Sequence, residues 1–214
     1  MPGRSHSLIT GEYYHVFNRG VAKQPTFVSR RDYNQAVLSK DYYQYLKPPI
    51  KLSRYKDLSE NEKTKVKVGM EMGKKLVEVI CYVFIPNHFH FLLKQSIDEG
   101  VSKFMSLFTN SYTKYFNTAN NRVGPVFQGG FKSVPVESEE QLLHLSRYIH
   151  LNPYVASLVS KKDLDSYSWS SLPHFLIKPF DYYKSKTYSY RDFVLNHGDY
   201  ARELKRIEHQ CIDL

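Results

Sequence analysis

The sequence predicts an α+β domain, an antiparallel sheet with helices packed mainly on one face. Three observations predict it. Short runs near the start and middle of the chain alternate apolar residues with period two, as strands do. Other stretches repeat apolar residues at three- and four-residue spacing, as amphipathic helices do. The resulting order is strand, helix, strand, strand, helix, extended segment, helix, which suits helices laid on one side of an antiparallel sheet.

Residues Glu12 to Gly20 read as the first strand. Tyr14 and Val16 share one face, and Tyr13, His15 and Phe17 the other; Gly20 supplies a turn. A helix follows. Ser29 and Asp32 form a capping-box pattern, Tyr33, Val37 and Tyr45 fall near helical spacing up to Leu46, and Pro48-Pro49 stops it. Residues 51–75 are Lys-rich and weakly periodic, a surface insertion or an exposed helix. Leu76 to Ile85 is nearly continuous in apolar and β-branched residues, which predicts a central strand buried on both faces. Pro86-Asn87 is a tight connection, and His88 to Lys94 comes straight back as a strand. Gly100 precedes a long helix with Phe104, Leu107, Phe108, Tyr112 and Tyr115 as its stripe; Asn120 to Gly124 ends it. Pro125 to Val136 reads as extended, interrupted at Gly129-Gly130. Ser138-Glu139-Glu140-Gln141 is a capping box opening a helix, with Leu142, Leu145 and Ile149 as its buried stripe, that runs to Asn152-Pro153. The domain is expected over residues 1–172. A tail of uncertain role covers 173–214, with an aromatic basic stretch from Phe180 to Tyr190 and a last helix from Ala201 to Ile212.

Composition narrows the function. With 42% hydrophobic residues in 214, the chain can bury a sizeable core. A net charge of +9 points to a polyanion, nucleic acid first and an anionic membrane surface second. The 18 Tyr and 13 Phe, interleaved with Lys and Arg, suit single strands whose bases stack on flat side chains, although most of the Phe are expected in the core. Two cysteines, Cys81 and Cys211, exclude a disulfide framework and a Cys-rich zinc site, and fit a reducing, cytoplasmic, nucleoid-associated setting. Met1 to His6 has no apolar signal core, and the longest apolar run, Leu76 to Ile85, is too short to span a bilayer.

The chemistry centres on Pro86-Asn87-His88-Phe89-His90-Phe91-Leu92-Leu93-Lys94. Strand geometry turns His88, His90 and Leu92 to one face and Phe89, Phe91 and Leu93 to the other. Two adjacent imidazoles are half of a metal site. The missing groups should come from an element facing that side of the sheet, and the helix capped at Ser138 offers them. Tyr148 and Asn152, four residues apart, share a helical face, the first with a nucleophilic oxygen and the second with a hard carbonyl oxygen. Tyr112 and Tyr115 on the other long helix have Phe116 and Ala119 at that spacing. His144, one turn earlier, is a competing ligand, and Asn152 can also serve as a helix C-cap. The other histidines, His15 and His150 among them, default to structural or surface roles.

The histidine strand resembles the motif of two histidines flanking a bulky hydrophobic residue in the HUH single-strand nucleases. Further blocks, in order, are Tyr13 to Gly20, Gly124-Pro125-Val126-Phe127-Gln128-Gly129, Phe131-Lys132-Ser133, Arg147-Tyr148-Ile149-His150-Leu151-Asn152-Pro153 and Tyr167-Ser168-Trp169-Ser170-Ser171. With the histidine strand they resemble the REP-associated tyrosine transposases. The resemblance implies a ferredoxin-like sheet with the histidines on a central strand. It also implies a single nucleophilic tyrosine on a late helix, with Asn or Gln four residues on completing the metal site. Those roles fall to Tyr148 as nucleophile and to His88, His90 and Asn152 as ligands of Mg²⁺ or Mn²⁺. Departures are Gly130, where family members often carry Arg, a long insertion at 51–75, and a tail outside the resemblance.

The implied reaction is metal-dependent cleavage and transfer of single-stranded or hairpin DNA through a 5′-phosphotyrosine, with Arg19, Arg122, Lys132 and Arg147 as phosphate contacts. A single copy and a homodimer both fit. The main rival is a hairpin-DNA-binding protein on the same fold without cleavage. A cupin-like enzyme would want a carboxylate soon after the histidines, where Lys94 and Gln95 stand, and a zinc hydrolase lacks its Cys and Asp/Glu spacing.

Overall fold

A computed structural model describes residues 7–175 and 189–202. The strands are β1 (Tyr13–Arg19), β2 (Val77–Ile85), β3 (His88–Gln95) and β4 (Lys132–Val136). The helices are α1 (Arg30–Tyr43), α2 (Leu52–Asp57), α3 (Glu60–Glu71), α4 (Gly100–Ala119), α5 (Glu139–Val155), α6 (Leu172–Phe175) and α7 (Tyr190–Leu195). The sheet order is β2-β3-β1-β4 and each pairing is antiparallel. This is the ferredoxin-like arrangement, with β3 in an inner position. Phe180 and most of the aromatic basic stretch, and the proposed last helix beyond Arg202, lie outside the described residues.

Alternation along the strands splits the core in two. Tyr14, Val16, Phe84, Phe89, Phe91 and Leu93 point to one face and pack with Phe104, Phe108 and Tyr112 of α4 and Tyr33 and Ala36 of α1. Cys81, Val83, Ile85 and Leu92 point to the other, against Leu143, Ile149 and Leu151 of α5, with Leu172, Tyr190 and Val194 sealing the rim. So α1 and α4 lie together on one face, and α5 is the helix that crosses the face of the histidines. The tail is thus partly in the core: α7 packs on α5 through Tyr190 and Val194.

Local signals explain most element ends. Ser29 and Asp32 make a reciprocal capping box on α1. The Lys-rich stretch forms α2 and α3, the second opened by an equivalent box between Ser59 and Glu62. Gly20 has an ordinary φ of −59°; its lack of a side chain is needed because a Cβ would sit 2.2 Å from the Gln24 carbonyl oxygen. At Ser138 only half of the expected box forms. Its hydroxyl accepts from Gln141 N–H, while Gln141 Oε1 accepts from Glu137 N–H. The buried stripe of α5 also differs by one position: Leu143 and Ile149 are buried, and Leu142 and Leu145 only partly so. Nor does α5 stop at Asn152. It runs through Pro153 to Val155, because a proline in the last turn removes only the bond to the Ile149 carbonyl.

The outer edge of β2 is covered. Phe84 N–H donates to the Trp169 carbonyl (2.9 Å) and Ser171 N–H to the Tyr82 carbonyl (3.0 Å). The Tyr167–Ser171 block therefore protects an edge that would otherwise offer free backbone groups.

Candidate functional site

The site is built on the histidine face where α5 leaves the sheet open. The register sets Arg19 opposite His88, Phe17 opposite His90 and His15 opposite Leu92. These side chains share a face, so β1 adds its own histidine to the pair on β3. The His88 and His90 rings lie 5.0 Å apart, centre to centre, and edge to face. They open onto a groove of about 710 Å³, bordered by Phe17, Arg19, Lys23, Gln128, Lys132 and Tyr148.

Both imidazoles are held from behind. His88 Nδ1 is 2.7 Å from Asn87 Oδ1, and the Asn87 amide nitrogen donates to the Lys23 carbonyl at 3.3 Å. That second bond orients the amide, so Oδ1 accepts and His88 Nδ1 carries the hydrogen. His90 Nδ1 is 2.9 Å from His15 Nε2, and the two rings stack at 5.1 Å and 22°. Burial lowers the pKa of His15 to about 4, so this ring is neutral at neutral pH.

Tyr148 comes from α5. The side chain is 51% exposed, and its ring stands edge-on to His90 at 5.5 Å and to His15 at 6.0 Å, centre to centre. A buried polar chain fixes the helix beneath it. Ser171 Oγ lies 2.8 Å from His150 Nε2, and His150 Nδ1 lies 2.7 Å from Tyr190 Oη. Tyr190 Oη in turn donates to Ser146 Oγ (2.8 Å), and Ser146 to the Leu143 carbonyl (2.7 Å). With the tyrosine hydrogen spent on Ser146, His150 Nδ1 donates and Nε2 accepts, which describes a neutral imidazole. Burial lowers its pKa to about 3.

The expected residues divide. His88, His90, Tyr148, Arg19 and Lys132 border one groove. Asn152 is buried beside it, and its amide nitrogen donates to the Tyr148 carbonyl (2.9 Å), the tie of a residue shaping its own helix. Arg122 lies over the Phe116 ring at the end of α4, and Arg147 lies over Phe193 of α7 and within 2.7 Å of His144 Nδ1. Neither borders the groove, and His144 is turned to the α7 side. Sequence reasoning missed His15, Lys23 and Gln128. Parity along β1 put His15 and Phe17 together, but only the register ties them to His90. Gln128 stands in a block already singled out, and its Oε1 accepts from Arg19 Nε (2.6 Å).

The model of the IS200-like transposase family matches residues 53–152. Over that region, just under half of the chain, the sequence is similar to the IS200-like transposases. Within it lie His88, His90, Tyr148 and Asn152, while His15 and Arg19 precede it. Among solved structures, the REP-associated tyrosine transposase bound to a REP hairpin is similar at a TM-score of 0.54 and 14% identity, over 83% of this chain and 87% of that one. At that identity the likeness is one of fold. A putative transposase from Deinococcus radiodurans R1 aligns at a TM-score of 0.38 and 12% identity over 70% of this chain and 95% of its own, too loosely to bear on fold or function. No curated protein matches the sequence. Among the described residues, no helix is long and apolar enough to cross a membrane, and no three His, Cys, Asp or Glu side chains are grouped to hold a metal.

Proposed function

We propose that this groove cuts and rejoins single-stranded DNA through a covalent bond between Tyr148 and a backbone phosphate. One observation carries the reading: a half-exposed tyrosine stands edge-on to one of two adjacent imidazoles, in a groove bordered by Arg19, Lys23 and Lys132. Tyr148 Oη attacks phosphorus, the P–O3′ bond breaks, and the phenolic proton is released as the 3′-oxygen gains one. The products are a 5′-phosphotyrosine and a 3′-hydroxyl. A second 3′-hydroxyl can reverse the step and join a new strand, because the phosphodiester energy is kept in the tyrosyl ester.

The donor set fits a divalent cation. His88 and His90 would hold Mg²⁺ or Mn²⁺ through nitrogens opposite their hydrogen-bonded Nδ1 atoms, with Asn152 Oδ1 as the proposed third donor. Two imidazoles favour Mn²⁺ of the two. The ion would polarise the scissile phosphate. Arg19, Lys23 and Lys132 bind the strand by its phosphates, and Phe17 gives a base an aromatic ring to stack on. The REP hairpin of the fold relative motivates a hairpin-flanked single strand as substrate.

The test is adduct formation on labelled hairpin-flanked oligonucleotides with Mn²⁺. The wild type gives a denaturation-resistant protein–DNA band, and Tyr148→Phe or chelation removes it. Tight DNA binding with no Tyr148-dependent band would leave a hairpin-binding protein instead.

A further inference from the structure

We infer that His15 is a positioning residue for His90, pairing with Asn87, which does the same for His88. The inference rests on the proposed metal role of the two imidazoles. Each has its Nδ1 within hydrogen-bond distance of a protein group, Asn87 Oδ1 at 2.7 Å and His15 Nε2 at 2.9 Å, and a metal on Nε2 requires Nδ1 to donate to that group. An imidazole donating from Nδ1 carries its ligating lone pair on Nε2. Such outer partners set the tautomer and pitch of metal-binding histidines and raise their basicity.

The two supports are built differently. Asn87 is the neighbour of His88 in the tight turn between β2 and β3, and the turn itself aims it. His15 reaches His90 from another strand. Its Cα partner is Leu92, so the contact is the diagonal one, two residues away, which a long flat side chain can span. Ring stacking at 22° and the edge of Tyr148 confine His15 on two further sides. His15 therefore touches both the proposed ligand and the proposed nucleophile without bordering the groove itself. A hydrophobic residue at that place would keep the packing and lose the bond.

The experiment reads Mn²⁺ affinity of the full chain, without DNA, by the loss of the free-ion electron paramagnetic resonance signal. His15→Gln puts an amide oxygen where Nε2 stood, whereas His15→Asn is too short and His15→Phe fills the space without an acceptor. Loss of an outer partner costs 10–100-fold in metal affinity as a rule. We expect about that loss for His15→Phe and His15→Asn, and binding within about threefold of wild type for His15→Gln. Thermal melts identify any variant that fails to fold; should Phe fail, the contrast between Gln and Asn decides. Equal affinity in wild type and the folded variants overturns the positioning role and leaves the metal reading standing. A wild type that binds no Mn²⁺, and no His90→Ala difference, overturns both.

Discussion

The two faces of β3 teach different lessons from alternate residues of one strand. Phe89, Phe91 and Leu93 are sealed under α1 and α4. Most of that face is apolar and aromatic, and its job is to be dry. His88 and His90 point the other way, where α5 covers Leu92 and the β2 side but leaves the β1 side open as a groove. One face supplies the rigidity that the other needs, since a site is only as well aimed as the elements that carry it. The comparison predicts that changes on the two faces separate cleanly: one set moves stability, the other moves DNA chemistry.

The largest effect should come from the open face. Tyr148→Phe removes one oxygen from a side chain that is 51% exposed. Covalent adduct should disappear altogether, while the melting temperature stays within a degree or two, because such surface changes cost about 0.5 kcal/mol or less. A variant that lost adduct by melting would break the separation.

The sealed face should give the reverse. Phe91 is fully buried and meets Phe84, Phe104 and Phe108 ring to ring. Phe91→Ala should cost about 3–5 kcal/mol, a drop of roughly 10 °C in melting temperature for a chain of this size. The fraction that remains folded should still form adduct. Calorimetry and a folded-fraction-corrected adduct assay check the two halves.

Much of this division was legible in the sequence, and the reason is locality. Period two placed the histidines and phenylalanines on opposite faces with no knowledge of the fold. Capping residues at Ser29 and Ser138 fixed two helix starts, because their partners lie within a turn. What escaped was anything set by register or by docking. His15 looked like an ordinary strand histidine, since its bond to His90 depends on how β1 and β3 align. Arg147 adjoins the tyrosine in sequence, yet a helix turns neighbours about 100° apart, and Arg147 faces α7. Asn152 had the right spacing, but the spacing did not show that its amide nitrogen ties back to the Tyr148 carbonyl. The tail gave no periodic signal that Tyr190 would close the chain around His150.

That chain makes the support of α5 sensitive to acid. His150 titrates at about 3 in the folded protein against 6.5 as a free group. Its folded pKa is lowered, so the unfolded chain binds the extra proton between those values, and stability rises with pH there. The contribution is complete above about pH 6.5 and is lost progressively toward pH 3. By pH 4 the loss from this residue is on the order of 3 kcal/mol. Denaturant unfolding at pH 7 and pH 4 measures it, and His150→Gln, which cannot titrate, should flatten that part of the profile. An equal acid slope in the variant would assign the sensitivity elsewhere.

The smallest effect tests how far the groove reaches. Lys132 borders it, and Arg147 rests on Phe193, away from it. Each neutralised phosphate on a single strand contributes about 0.7 to the slope of log affinity against log salt. Lys132→Ala should lower that slope by about 0.7 and weaken binding a few-fold at moderate salt, uniformly across sequences. Arg147→Ala should leave the slope unchanged. Because the two residues carry the same charge, a mere drop in net charge would affect both alike. A difference between them therefore reports where the strand lies, and its absence would mean that the DNA also runs across the α5–α7 side.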